Sequence, residues 1–568
     1  MATTLVVPGV RVEARFDVLP APPAPAGILG AVGIVDRPPA DGGRVSVSKV
    51  SELRDILGPG TLASMPEVVH ALSNGVSEVV IAPVSGGAPA STRLLNANSQ
   101  PAVILRCRSN GTWGNQLVVD VRGIADANRN IVRVGLRLLH RGLLVESFDD
   151  LQVSPGGPDD LFDTINRRSS YVVALDPGFL DATAPRDGTY AFDENTVRID
   201  VPESREVDPR VLFQLVPTDD VSPIGLSVRL QTNPRGRTTV EVFQGGLQER
   251  FTDLVMNPDS ANYLPYVLLT QSRFIRVIPL SSLPANQRLP APTTAPQSFA
   301  DGASPTVNDY RAAIDLLADD PRIDLVVASI EPGRSNAEVR QIHQALVAHA
   351  VTMADNGAPR IAFGSVATGE QADLAQIRDH AAAVRNRRFV LVSPNGAEGA
   401  VVGVIGRMNP QDSPTFKPVP LFGIAPARYR ESELNRLLGG TINALVVQDR
   451  AGRGVVVLRG IDTTGDQISV TRVADQAIRE TKAISENFIG RLNTEDARIA
   501  LKQQIVATFT RMAREGALVP STDGQDPPFV VDVYSTQQDF AQGIVRIDIA
   551  VRPVRAIDYI YATIRVKN

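Results

Sequence analysis

Hydrophobic and polar residues alternate most strictly near the two ends of this chain. Val10, Val12, Ala14 and Phe16 fall on one side of the first stretch, with Arg11, Glu13, Arg15 and Asp17 on the other. That two-residue period predicts a half-buried strand. Pro20, Pro22, Pro23 and Pro25 follow it as a stiff extended connector. Six residues of polyproline-like backbone span about 19 Å at ~3.1 Å each, which holds the first strand away from a body beginning at Gly27. Toward the other end, Val545, Ile547, Ile549 and Val551 alternate with Arg546, Asp548, Ala550 and Arg552. After Pro553 a second alternating stretch has Ile560, Ala562, Ile564 and Val566 on one face and Tyr559, Tyr561, Thr563 and Arg565 on the other. Chain ends ordinarily fray, so a patterned terminal strand calls for a partner. That partner is either in the same molecule or in a neighbour, by strand addition.

Between the ends the pattern changes twice. Ile28–Val35 reads as a glycine-rich strand, Ser51–Leu57 and Pro66–Asn74 as short helices, and Glu78–Val84 as a buried strand. From about 101 to 270 the runs Leu117–Val121, Ile131–Leu139, Thr196–Val201 and Leu226–Leu230 predict short strands separated by turn residues, an inserted β-rich region. From about 271 to 400 strands and helices alternate again. Asp309–Leu317, Asn336–Met353 and Glu370–Val384 read as helices, Ile323–Ile330, Arg360–Phe363 and Phe389–Val392 as strands. Strand–helix–strand order implies parallel pairing. Later, Asn493 is placed to cap a helix whose Leu501, Ile505, Phe509 and Met512 form one apolar stripe, and Gly516 stands where it should stop.

At 568 residues the chain has room for about three or four domains of ordinary size. A net charge of -5 without blocks of like charge argues against a nucleic-acid surface or a polybasic membrane patch. No run approaches the ~18 apolar residues of a membrane span. The opening MATTLVVPGV lacks a basic leader, and one cysteine forms no internal disulfide, so folding in a reducing cytoplasm is expected. Chemistry is sparse. Gly27, Gly30 and Gly33 have GxxGxxG spacing with no strand before them, and no GxxxxGK[ST] phosphate loop occurs. His343 and His349 lie six apart on one helix, on different faces, unlike zinc-binding pairs. Cys107 sits in a strand with no neighbouring histidine. No catalytic, cofactor or metal residues are therefore expected, and the chain is read as not an enzyme.

The order of the pieces resembles contractile phage tail sheath proteins. PGVRVEA, the proline bridge and GILGAVGIVDRPPADG are similar to that family's start. The stretches VSKVSELRDILGPGT and PEVVHALSNGVSEVVIAPV resemble its next section, and Trp113, Gly114 and Asn115 match its WGN entry into an inserted domain. DGASPTVNDYRAAIDLLADDPRIDLVVASIEPG, NRLLGGTINALVVQDRAGRGVVVLRGIDT, two late helices ending in REGAL and the closing RPVRAIDYIYATIRV complete the pattern. Arg407–Lys417 departs from it, carrying only weakly the aromatic-proline run of many sheaths.

The resemblance implies an α/β and α+β multidomain fold, with discontinuous α/β core domains, an inserted β-rich domain and extended terminal strands. Residues 1–25 would be a strand arm and proline-rich linker, 26–100 with 271–400 a middle α/β domain, 101–270 an outward insertion, and 401–568 an inner tube-facing domain. It implies self-association as helically stacked hexameric rings, with an inner tube protein and baseplate and cap proteins as partners. No cofactor, nucleic acid or membrane insertion is implied. Val10, Val12, Ala14 and Phe16, with Tyr559, Ile560, Tyr561, Ala562, Thr563, Ile564 and Val566, would carry strand exchange between subunits. Lys502, Arg511 and Arg514 would face the tube. A baseplate or cap component of the same machine, or an α/β enzyme, are the rival readings.

Overall fold

The computed structural model describes residues 27–559, apart from 40–42, 59, 141, 155–156, 158, 178–184, 193–195, 201–210 and 280–284. Its centre is one eight-stranded sheet. In chain order the strands are β1 (Ile28–Gly33), β2 (Val45–Val47), β3 (Glu78–Pro83), β4 (Leu325–Ala328), β5 (Ile361–Ser365), β6 (Phe389–Ser393), β7 (Leu445–Arg450) and β8 (Gly454–Val457). In space they run β2-β3-β1-β4-β5-β6-β7-β8. All ladders from β3 to β7 are parallel, as the strand–helix alternation requires, and the two edge strands β2 and β8 pair antiparallel.

Both faces of this sheet are covered. Ile28, Val32, Val80, Val326, Ala362, Leu391 and Val446 point into one core. That core is closed by four helices: α2 (Val307–Leu316), α3 (Asn336–Asp355), α4 (Leu374–Ala383) and α6 (Glu431–Leu438). Leu29, Ala31, Val79, Ile81, Val327, Phe363, Val390 and Val447 point into the other core, against α1 (Pro66–Ser73) and α5 (Glu398–Gly406). Strands buried on both sides read as continuous apolar runs, which is why they stand out in the sequence. Helix starts are equally local. Thr306 with Asp309, and Ser335 with Glu338, form capping boxes at the heads of α2 and α3. Asp373 accepts from the backbone N–H groups of Ala375 and Gln376, so α4 begins at Leu374, four residues later than the pattern predicts.

The hydrogen-bonded layers cross two expected boundaries. Val392 pairs with Leu445, which draws residues 445–457 into the central sheet although they lie past residue 400. The β-rich region starts at Ser91–Leu95, paired to Pro101–Cys107, and reaches Gln297–Ser298, paired to Val118 and Val119. Within it the runs Leu117–Val121, Ile131–Leu139 and Leu226–Leu230 fall inside strands Leu117–Ala125, Ile131–His140 and Leu226–Thr232, and the strand Val197–Asp200 forms within the predicted run Thr196–Val201. Three of the histidines outside it meet polar neighbours. His343 Nδ1 meets His380 Nε2 at 2.9 Å, His380 Nδ1 meets a Glu370 oxygen at 2.6 Å, and His349 meets Arg360 at 2.9 Å. Cys107 is buried, which pushes its thiol pKa up and leaves it unreactive.

Helices α1 and α5 approach closely enough to bring two acids together. Burial raises Glu67 to about 7, and burial together with the charge of Glu67 raises Glu398 to about 8. Glu398 accepts a 2.9 Å hydrogen bond from Ser365. Both groups hold protons in the folded state that the unfolded chain releases near its ordinary carboxylate pKa. Their contribution is therefore most favourable below pH ~4.5 and is lost as pH rises toward ~8. Glu398→Gln, which mimics the protonated acid, is expected to raise the thermal midpoint more at pH ~8 than at pH ~5. An equal shift at both pH values contradicts the assignment.

Candidate assembly interface

After the central sheet the chain builds a separate small unit. Its helices are α7 (Ile468–Glu486) and α8 (Glu495–Arg514). Thr494, and not Asn493, caps α8 by accepting from Ala497 N–H at 3.2 Å, while Asn493 Oδ1 accepts from Arg498 at 2.6 Å. Asn493 is drawn to that guanidinium, which leaves the next residue to close the helix. The predicted stripe Leu501, Ile505, Phe509 and Met512 is buried against Val473, Ala477 and Ile484 of α7. Gly516, at φ +77°, ends the helix as expected.

Two strands lie on α8: β9 (Phe529–Tyr534) and β10 (Arg546–Val551). They pair antiparallel, with Phe529 opposite Val551, Val531 opposite Ile549 and Val533 opposite Ile547. These six side chains face the helix, and the rings of Phe509 and Phe529 meet edge to face with centroids 5.6 Å apart. The alternation over 545–551 thus describes the packing of β10. The turn between the strands is fixed by Asp539, which closes a capping box with Thr536 and accepts two 2.8 Å hydrogen bonds from Arg546. Among the described residues this sheet has two strands only, so each strand presents one edge without a ladder partner. An isolated two-stranded sheet is marginal, and open edges of this kind accept a further strand through main-chain hydrogen bonds.

Beyond β10 the tail is pinned to the body. Val554 N–H donates to Ala517, Arg555 pairs with Asp466 at 2.8 Å, and Ala556 exchanges two 2.9 Å hydrogen bonds with Gln467. Asp558 pairs with Arg459 at 3.0 Å, and that guanidinium covers the Tyr559 ring at 5.3 Å. Tyr559 is 59% exposed, the last described residue of the chain. The other expected exchange residues, Val10, Val12, Ala14, Phe16, Ile560, Tyr561, Ala562, Thr563, Ile564 and Val566, lie outside the described residues.

The three basic residues on α8 are differently placed. Lys502 pairs with Asp532 of β9 at 3.2 Å, and Arg511 lies between Glu480 of α7 and Glu515. Arg514 is exposed. Sequence reasoning passed over the tip of the α7–α8 hairpin, where Ile489 and Leu492 are 82% and 81% exposed. Two apolar residues among Gly490, Arg491 and Asn493 carry no periodic signal that would have marked them.

Residues 462–567, which span α7, α8, β9, β10 and the tail, match the phage tail sheath C-terminal domain family. By that match the segment is similar to the C-terminal domain of phage tail sheaths. No curated protein matches the chain. Among solved structures it is similar to a sheath tail protein of Desulfitobacterium hafniense, at 11% identity over 97% of each chain, with a TM-score of 0.46. A sheath tail protein of Listeria innocua is similar at 10% identity over 94% of this chain and 93% of that one, with a TM-score of 0.43. The contracted helical sheath of the anti-feeding prophage is similar at 18% identity over 45% of this chain and 74% of that one, with a TM-score of 0.36. What the segment itself offers chemically is backbone: two strand edges, a fixed apolar support and a tethered tail. Among the described residues no group of three or more His, Cys, Asp or Glu is placed to hold a metal ion, and no helix is long and apolar enough to cross a membrane.

Proposed function

We propose that the chain is the structural subunit of a contractile sheath, polymerising as stacked hexameric rings around an inner tube and contracting to drive that tube through a target envelope. The observation that carries this reading is the β9–β10 sheet of the sheath domain, supported on α8 and open at its edges. The alternating strands at 10–16 and 559–566 supply what those edges lack. A strand arm on a proline spacer reaches one neighbour, and the C-terminal strand, leaving the body at the Arg459–Asp558 clamp, reaches another. Main-chain ladders then hold subunits together while the connections let the bodies rotate, and contraction follows as body-to-body contacts form.

In this reading residues 1–25 and the sheath domain form the inner, tube-facing part. The central sheet forms the middle and the β-rich insertion projects outward. Arg514 and the hairpin tip are the tube-facing candidates, since Lys502 and Arg511 already have acidic partners within the subunit. The baseplate and a cap protein bound the array, which assembles in the bacterial cytoplasm and ends as part of a phage tail or tail-like particle. Negative-stain electron microscopy of the purified chain tests the proposal. Striated hollow tubes or stacked rings are expected. Particles that stay monomeric even with tube and baseplate proteins present overturn it.

A further inference from the structure

The carboxyl ends of β4, β5 and β6 open into a cleft of about 560 Å³ beside the β-rich region. In open parallel sheets ligands settle in the crevice at the carboxyl ends, where the strand order reverses. Here the order reverses at β1, which has β3 on one side and β4 on the other. The size is that of a small-molecule site. Nothing in sheath assembly by strand exchange calls for such a cleft.

Its lining holds buried acids. Glu67 and Glu398 are 6% and 4% exposed, and each keeps one carboxyl oxygen without a hydrogen-bond partner among the described residues. His343 also lines the cleft. Glu370, held below the usual carboxylate range by His380 and Arg340 against its burial, is an acceptor. His380 Nδ1 meets Glu370 at 2.6 Å, and His380 Nε2 meets His343 Nδ1 at 2.9 Å. Burial keeps His343 neutral. The cationic side chain in the lining, Arg334, is committed to Glu331 at 3.1 Å and Glu338 at 3.3 Å. From the β-rich side Trp113 and Tyr171 contribute aromatic rings 6.2 Å apart, whose faces attract cations.

We propose that this cleft binds an organic ammonium ion, its N–H donors meeting Glu67 and Glu398 and its alkyl chain lying along Trp113. A cation there favours the ionised form of both acids, so uptake releases protons. The requirement is independent of polymerisation, and the site exists within one subunit.

Putrescine is the probe, titrated calorimetrically into the full-length protein near neutral pH, in two buffers of different ionisation enthalpy and matched ionic strength. Saturable binding is expected, with heats that differ between buffers because protons are released. The chain has a single tryptophan, Trp113, so its fluorescence reports occupancy directly. Glu67→Gln and Glu398→Gln, neutral mimics that keep the fold, are expected to weaken binding about tenfold or more. No saturable signal up to ~10 mM putrescine overturns the proposal. Unchanged affinity in both variants, with melting curves confirming that they are folded, overturns it equally.

Discussion

Removal of residues 1–18 is expected to leave a folded protein that no longer forms tubes. Among the described residues each strand of β9–β10 has one ladder partner, and the apolar support beneath them is already complete in Phe509, Val531 and Ile549. What an added strand supplies is therefore mostly main-chain pairing, plus burial of Val10, Val12, Ala14 and Phe16. At a net ~1 kcal/mol per hydrogen bond, a strand of this length contributes several kcal/mol at every junction. Each 1.4 kcal/mol is about tenfold in affinity, so losing the strand moves assembly out of the micromolar range. An arm that pairs only with a neighbouring subunit leaves the thermal midpoint of the single chain unchanged, and that is the expected result. Truncation after Tyr559 is expected to have the same effect from the other side of the junction. Electron microscopy beside sedimentation velocity reads both. Tubes formed by the 1–18 deletion would show that the arm is not the connecting strand.

Gly399→Val is expected to be the most destabilising single change in the middle of the molecule. A Cβ at Gly399 would stand 2.2 Å from the Glu67 carbonyl oxygen and 2.5 Å from its Cα. Those are backbone atoms of α1, so no side chain can rotate away, and α1 must shift as a whole against the sheet. Overpacking ordinarily costs 1–3 kcal/mol, and displacing a helix puts this change at ~3 kcal/mol or more. Gly403 is nearly as tight, with Asn74 Cβ at 2.5 Å. Gly246→Ala is the control: no atom lies within 4 Å of its Cβ position, and a change within ~0.5 kcal/mol is expected. Urea denaturation of the three proteins decides the matter. A Gly399→Val protein as stable as the control would mean that α1 and α5 do not pack as described.

The same helix pair marks where sequence reading loses its grip. Helix α5 has the sequence EGAVVGVIG and is buried all round. An element covered on every side has no polar face, so it shows no 3.6-residue period and cannot be told from a strand. α3 and α4, with a solvent side and capping residues, were legible to within a few positions. β10 was legible because its alternate residues meet α8 and solvent. Its partner β9 escaped notice, since the run FVVDVY is short and its outward Val530 blurs the alternation.

By itself the sequence determined which stretches have one buried face, two buried faces or none. That was enough for the parallel α/β core and the β-rich region. It was also enough for the order of pieces that resembles a contractile sheath. Only the tertiary structure decided the partners. It brought Leu445 beside Val392, committed Lys502 to Asp532, and gathered Glu67, Trp113, Glu331 and Glu398 around one cleft. The physical reason is that periodicity records whether a side chain leaves water, a local property of each segment. What it packs against depends on loop closure across hundreds of residues, and no single segment carries that information.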